Sequence, residues 1–177
     1  SSLAWGGFVG VDYETVGESE FGTTYRVYAT FDNPTDELVA VYALELAPMV
    51  LDVTTSFYQD PFGGALAQSI NPLLFGAFPS LVYDSWFTIG SEDAEGTSEA
   101  QQVGMDAYFT SFEAGGGFTI DSFLGGSWFL IPGQSADAVA GDDNRVLVGQ
   151  FTTDGVVNMT LNLQWDDAAS NTFNAEG

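Results

Sequence analysis

The chain lacks lysine, histidine and cysteine in all of its 177 residues, and its only basic residues are Arg26 and Arg145. These absences remove the side chains that most enzymes use as bases, activated nucleophiles, Schiff-base amines and soft metal ligands. The sequence therefore predicts a protein that is not an enzyme. Without cysteine, the fold also cannot be held by disulfide bonds.

Positive charge is almost missing as well, because 25 acidic residues leave a formal net charge of −23. A domain this negative repels phosphate backbones and anionic lipids, so we expect no nucleic-acid partner. No stretch reaches 18 uninterrupted apolar residues, so we expect no membrane insertion. Hydrophobic residues still make up 45% of the chain, which is enough for one core, and a single domain over residues 1–177 is predicted.

The chain begins at Ser1 rather than methionine. This start is typical of a mature product from which a targeting segment has been removed, and we expect a secreted protein, extracellular or at the cell surface.

Alternation of apolar and polar residues is clearest from Val157 to Trp165, which predicts a half-buried strand with Trp165 on its core face. The apolar run Arg145 to Thr153 precedes it, and Asp154-Gly155 separates the two. This spacing predicts a β-hairpin.

Similar short runs recur along the chain between turn-forming clusters, and they predict an all-β fold, a mostly antiparallel β-sandwich or jelly roll. They are Phe8 to Thr15, Tyr25 to Phe31, Leu38 to Leu46, Val50 to Tyr58, Leu81 to Ile89, Ala107 to Phe112, Phe118 to Phe123 and Trp128 to Ile131. One or two helical turns are expected only at Ser98 to Met105.

Two segments depart from this pattern. Residues Asp60 to Ser80 form a long apolar connection rich in proline and glycine, which indicates a packed loop. From Val39 to Leu51 nearly every residue is apolar, so both faces of that strand require burial. Either the long loop covers this strand, or a neighbouring subunit does.

A set of motifs extends over most of the chain: Tyr58-Gln59-Asp60-Pro61-Phe62-Gly63-Gly64, Asn71-Pro72, Phe78-Pro79-Ser80, Tyr83-Asp84-Ser85-Trp86-Phe87-Thr88-Ile89-Gly90, Gly126-Ser127-Trp128 and Arg145 to Gly155. The set resembles a pattern in secreted β-rich proteins of aquatic, planctomycete-like bacteria. Those proteins have no assigned activity. The resemblance implies an extracellular β-rich protein and no specific chemistry.

Calcium is the cofactor that this composition could bind, since hard cations prefer carboxylate and amide oxygens. Three acidic loops are candidate sites, although the same residue types are common in turns and none of the loops has EF-hand spacing. They are Asp32, Asn33, Asp36 and Glu37; Glu92, Asp93 and Glu95; and Asp142, Asp143 and Asn144.

Two functions remain open. The first is a structural protein that assembles with copies of itself into a surface filament or layer, with N-terminal residues 1–16 extending onto a neighbour. Its candidate contacts are Trp5, Phe8, Tyr13, Val39 and Val41. The second is a calcium-assisted carbohydrate-binding module, in which Asp84 and Trp86 share one face of a strand and contact a sugar ring. Core packing is the alternative role of that pair.

Overall fold

The computed structural model describes residues 7–177, which form twelve strands, one α-helix and four short 3-10 helices. The strands are β1 (Phe8–Ser19), β2 (Gly22–Phe31), β3 (Glu37–Ala43), β4 (Met49–Val53), β5 (Trp86–Phe87), β6 (Gln101–Val103), β7 (Phe118–Ile120), β8 (Gly126–Phe129), β9 (Arg145–Thr153), β10 (Val157–Thr160), β11 (Asn162–Asp166) and β12 (Thr172–Ala175). The helix α1 is Asp106–Glu113, and the 3-10 helices are Ala67–Ser69, Pro72–Leu74, Pro79–Tyr83 and Ala136–Ala138.

Two layers of β-sheet enclose the core. The first layer is a four-stranded sheet in the order β1-β2-β9-β5. The second consists of a three-stranded sheet, β10-β4-β7, and a five-stranded sheet, β12-β11-β3-β8-β6. All the pairs between these named strands are antiparallel. The prediction of an all-β, mostly antiparallel fold is confirmed.

The two sheets of the second layer form one continuous, bent surface. Each strand of the three-stranded sheet is joined along the chain to a strand of the five-stranded sheet, and the joined strands lie side by side in the same order in both sheets. Strand β3 leads into β4 through residues 44–48, β7 into β8 through residues 121–125, and β10 into β11 at Leu161. The alternation predicted from Val157 to Trp165 thus runs across the bend, and Trp165 is buried in the core as expected.

The main core is unusually aromatic. Its centre is Phe87, which contacts the rings of Phe109, Phe112, Phe118, Trp128 and Phe151 at centroid distances of 4.7 to 5.9 Å. Burying large aromatic side chains removes much apolar area from water, so this cluster contributes strongly to stability.

A smaller second core lies on the outer face of the four-stranded sheet. There Ala67, Ile70, Leu81 and Trp86 pack against Tyr28 and Leu147. The long segment from Asp60 to Ser80 is therefore a packed loop, as predicted, but it covers β2 and β9 rather than the strand at Val39 to Leu51.

Four predictions about elements are wrong. Strand β9 pairs with β2 and β5 while β10 pairs with β4, so the turn at Asp154-Gly155 crosses between layers and closes no hairpin. The backbone N–H of Thr54 donates to the carbonyl of Val156, and the Val156 N–H donates to the Thr54 hydroxyl, which fixes this turn beside β4.

The run Ala107 to Phe112 is part of α1 and not a strand, because Met105, Phe109 and Phe112 bury one face at helical spacing. Residues Leu81 to Ile89 contain part of a 3-10 helix and the two-residue β5. The helical turn expected at Ser98 to Met105 is wrong too, since β6 occupies that segment.

Candidate functional site

The two layers differ in width at one side of the molecule. The first layer has four strands here, with β1 at its edge. The part of the second layer that faces it has only three strands and ends at β10. Part of the inner face of β1 therefore has no strand opposite it, and a cleft opens between β1 and β10.

The cleft has a volume of about 320 Å³ and is mainly apolar. Strands β1 and β2 form one wall, and β10 with the turn before it forms the other. The principal lining residues are Val11, Tyr13, Tyr25, Val27, Val157 and Met159, with Val156 at the rim.

The residues of β1 that line the cleft belong to the inner face of their sheet. Val11 lies opposite Ala29 and Tyr13 opposite Val27 on β2, and Ala29 is fully buried in the main core. Val11 is nevertheless 50% exposed, Tyr13 is 67% exposed and Val156 is 62% exposed. Side chains with the inward orientation of core residues are thus left in water, which is unfavourable unless another surface covers them.

The second wall of the cleft ends in an unpaired strand edge. Strand β10 pairs with β4 on one side, and no strand of residues 7–177 pairs with its other side. Strand β12 covers Leu163 to Asp166 of β11 and stops before β10. The N–H of Gly177 donates to the Oδ1 of Asn162 at 3.2 Å, just where the free edge of β10 begins. A free edge beside an apolar cleft presents backbone donors and acceptors to an additional strand.

Strand β1 is clamped to the sheet by one charged cluster. The guanidinium of Arg145 lies 3.2 Å from the carboxylate of Glu14 and 3.8 Å from the ring centroid of Tyr28, whose hydroxyl donates to Glu14 at 2.7 Å. The hydrogen bond from Tyr28, aided by Arg145, lowers the pKa of Glu14. The cluster ties β1 to β9 across β2 and holds the cleft wall in place.

Replacing Arg145 with methionine should loosen this wall, because the ion pair and the cation–π contact are lost while a long apolar side chain remains. For such a half-exposed cluster we expect a cost of about 1 kcal/mol in unfolding free energy, and faster hydrogen exchange of β1 amides. Arg26→Met is the matched control, since Arg26 lies opposite Glu14 on β2 but forms its ion pair with Glu92, at 2.9 Å. Equal loss of β1 protection in both variants would contradict the clamp.

Two buried carboxylates lie outside the cleft, under the long loop. One oxygen of Asp84 accepts the backbone N–H of Asp60 at 2.7 Å and the other accepts that of Gly64 at 3.3 Å. The carboxylate of Asp60 accepts the hydroxyls of Tyr58 at 3.0 Å and Ser80 at 2.7 Å. Burial raises the pKa of Asp84 to about 7 although these backbone bonds favour its charged form. This pair anchors the loop.

The prediction that Asp84 and Trp86 bind a sugar is wrong, because both side chains are buried. Asp84 is completely buried and Trp86 is 2% exposed, inside the second core. Neither side chain can contact a ligand at the surface, and core packing, the alternative role of the pair, is what the structure shows.

Most side chains of the first calcium-candidate loop accept hydrogen bonds from the chain itself. Asp32 accepts the N–H of Gly7, Asn33 accepts from Thr35, and Glu37 accepts the N–H of Gly133 with both oxygens. Asp36 is buried, and its Oδ2 has no hydrogen-bond partner among residues 7–177. Burial, together with the nearby carboxylates of Asp32 and Asp167, raises the pKa of Asp36.

The other two acidic loops are exposed turns. Asp93 accepts the N–H of Glu95, Glu92 pairs with Arg26, and Asp142, Asp143 and Asn144 form the turn before β9, where Asn144 has a φ of 54°. Within residues 7–177 no three acidic side chains are grouped closely enough to hold a metal ion. Calcium binding stays a prediction from composition.

The predicted assembly residues lie in different environments. Trp5 lies outside the described residues. Phe8 packs against Phe31 and Trp165 of its own chain, at ring distances of 6.1 and 5.8 Å. Val39 and Val41 are buried in β3, which is flanked by β8 and β11, so as contacts to a neighbour they are wrong. Of the four candidates within residues 7–177, only Tyr13 lines the open cleft.

Sequence reasoning missed a second exposed apolar surface, at the bend of the second layer. The turn after β3 carries Leu46 and the turn before β8 carries Phe123 and Leu124, all more than four-fifths exposed. The two turns are neighbours because Ala43 pairs with Gly126. We call Leu46, Phe123 and Leu124 the bend patch. Its signal in the sequence was the pair Phe123-Leu124 directly before Gly125-Gly126.

No protein-family model, curated protein or solved structure matches this chain. No helix of residues 7–177 is long and apolar enough to cross a membrane.

Proposed function

We propose that this protein is a non-catalytic, extracellular structural subunit that assembles with copies of itself. The observation that carries the proposal is the cleft between β1 and β10, where inward-oriented apolar side chains meet a free strand edge. Such an arrangement is complete only when another chain segment covers it.

Charge restricts how two copies can meet. Both basic residues of the chain are already paired within it, Arg26 with Glu92 and Arg145 with Glu14. Ion pairs between copies would have to break these contacts, while 25 acidic residues on each copy repel. Apolar and backbone contacts are the attraction that remains, and the cleft offers both, so assembly should strengthen as salt screens the repulsion.

The test is the mass of the native chain, measured by mass photometry and negative-stain imaging at low and high NaCl concentration. We expect multimers whose population grows with salt. A monodisperse monomer at every salt concentration would contradict the proposal. Adding EDTA to the same samples tests whether calcium takes part.

A pair of variants locates the contact. Val11→Asp places a charge in the cleft at a half-exposed position, so we expect it to abolish assembly with little loss of stability. Leu73→Asp adds the same charge at an exposed site on the 3-10 helix of the loop and should assemble like the unmodified chain. Equal assembly of both variants would place the contact elsewhere.

The carbohydrate-binding function stays a prediction of the sequence. Because Asp84 and Trp86 are buried, no contact among the described residues now favours it.

A further inference from the structure

We propose that the cleft binds residues 1–6 of a second copy, which add to the free edge of β10 as an extended strand. This inference rests on the proposed function and names the segment that performs the assembly.

The strand count indicates what kind of segment fits. At the cleft, the four-stranded sheet faces a sheet with only three strands, and the missing position is beside β10 and above the inner face of β1. A strand in this position would pair its backbone with Val157 to Thr160 and place every second side chain against Val11 and Tyr13.

Residues 1–6 have the pattern that this position requires. Leu3 and Trp5 are spaced by two, so an extended chain directs both to the same face, while Ser2, Ala4 and Gly6 place only small groups on the other face. The segment carries no acidic side chain, and the first one in the chain is Asp12. It can therefore approach a copy of charge −23 without bringing side-chain repulsion of its own.

The described residues show where this segment is attached. The N–H of Gly7 donates to the carboxylate of Asp32, and the N–H of Asp32 donates to the carbonyl of Gly7. Gly7 also lies beside Trp165, at the end of β1 remote from the turn to β2. The free edge of β10 ends at Thr160, five residues from Trp165 along the strand, which is roughly 16 Å. Strand β12 already occupies the edge of β11 along most of that path.

The length of residues 1–6 favours binding to a second copy over binding to the cleft of their own chain. Six extended residues span roughly 20 Å, so a segment that turned back into its own cleft would use nearly all of its length passing β12. The same six residues are long enough to cover the four residues of β10 when they come from another molecule. Because the donated segment and the accepting cleft are different surfaces, the contact is heterologous. Its repetition gives an open filament when the rotation between copies does not close, and a ring when it does.

The first experiment compares three variants of the full chain by mass photometry at high salt. Trp5→Asp and a chain lacking residues 1–6 should both lose multimers at least tenfold. Ser2→Asp is the matched control, since it adds the same charge to the opposite face of the segment, and it should still assemble. Circular dichroism checks that each variant is folded.

The second experiment measures binding of a synthetic peptide with the sequence of residues 1–6 to the shortened chain, by calorimetry. We expect the peptide to bind, and a peptide with aspartate at positions 3 and 5 to bind at least tenfold more weakly. Introducing Val11→Asp into the shortened chain should weaken binding of the first peptide to the same extent.

The outcomes separate the two proposals. If the unmodified chain assembles and the shortened chain assembles equally well, residues 1–6 are not the occupant, and the bend patch becomes the next segment to test. If the unmodified chain is monomeric and the peptide does not bind, both proposals are wrong. A monomeric chain whose shortened form binds the peptide would show that the segment fills its own cleft, which overturns the role of the second copy.

Discussion

Phe87→Ala should lower the free energy of unfolding by about 3–5 kcal/mol, one of the largest effects of any single substitution in this chain. Phe87 is 2% exposed, and its ring contacts five other aromatic rings drawn from α1, β7, β8 and β9. Alanine leaves a cavity that rigid rings on all sides cannot close. Urea denaturation followed by tryptophan fluorescence measures the loss.

Phe123→Ala is the matched control, because it removes the same side chain from a position that is 83% exposed in the bend patch. A change within about 0.5 kcal/mol is expected there. If both substitutions cost the same, Phe87 is not the centre of the core.

The second large expected effect is a fall in the free energy of unfolding as the pH rises from about 4 to about 7. Burial raises the pKa of Asp84 from 3.8 to about 7, so the folded chain binds a proton in this range that the unfolded chain has already released. Stability is therefore highest below the unfolded pKa and declines until the pH passes the folded pKa. A shift of this size corresponds to about 4 kcal/mol.

Asp84→Asn tests the assignment, because the amide resembles the neutral acid in shape and does not titrate. Most of the decline between pH 4 and pH 7 should vanish in this variant. Asp52→Asn removes an equal charge from an exposed position on β4 and should keep the decline, which corrects for general repulsion among carboxylates. An unchanged slope in Asp84→Asn would show that other groups cause the pH dependence.

Local patterns in the sequence predicted several strands well. The alternation from Val157 to Trp165 and the run Tyr25 to Phe31 correspond to β10, β11 and β2, since burial of one sheet face imposes a period of two. The helix α1 was also present in the sequence, as Met105, Phe109 and Phe112 at spacings of four and three. Its β-like composition concealed this signal.

Pairing between strands was not predictable in the same way. The turn residues Asp154-Gly155 indicate a reversal of the chain, but they do not specify which strands become neighbours. Here Thr54 and Thr55 hold the turn from outside, so β9 and β10 join different layers. A tertiary contact therefore determines which strands become neighbours, and the local turn signal does not encode it.

The candidate site was the least predictable feature. Asp84 and Trp86 read as a surface pair because alternation shows that two residues share a face, but not whether that face meets water or a covering loop. The cleft depends on how many strands each layer has at one side, a property of the whole fold. Tyr13 was identified only because it belongs to an aromatic N-terminal pattern.

The pairing of β2 with β9 also determines when this protein can fold. The hydroxyls of Thr24 and Thr152 lie 2.8 Å apart in space and 128 residues apart in the chain. The free edge of β2 has no partner strand until residues 145–153 of the 177 have been made, and closing so long a loop costs entropy before the contacts that stabilise it can form. Folding should take milliseconds to seconds rather than microseconds, and the four-stranded sheet should be complete only after Thr153 is available.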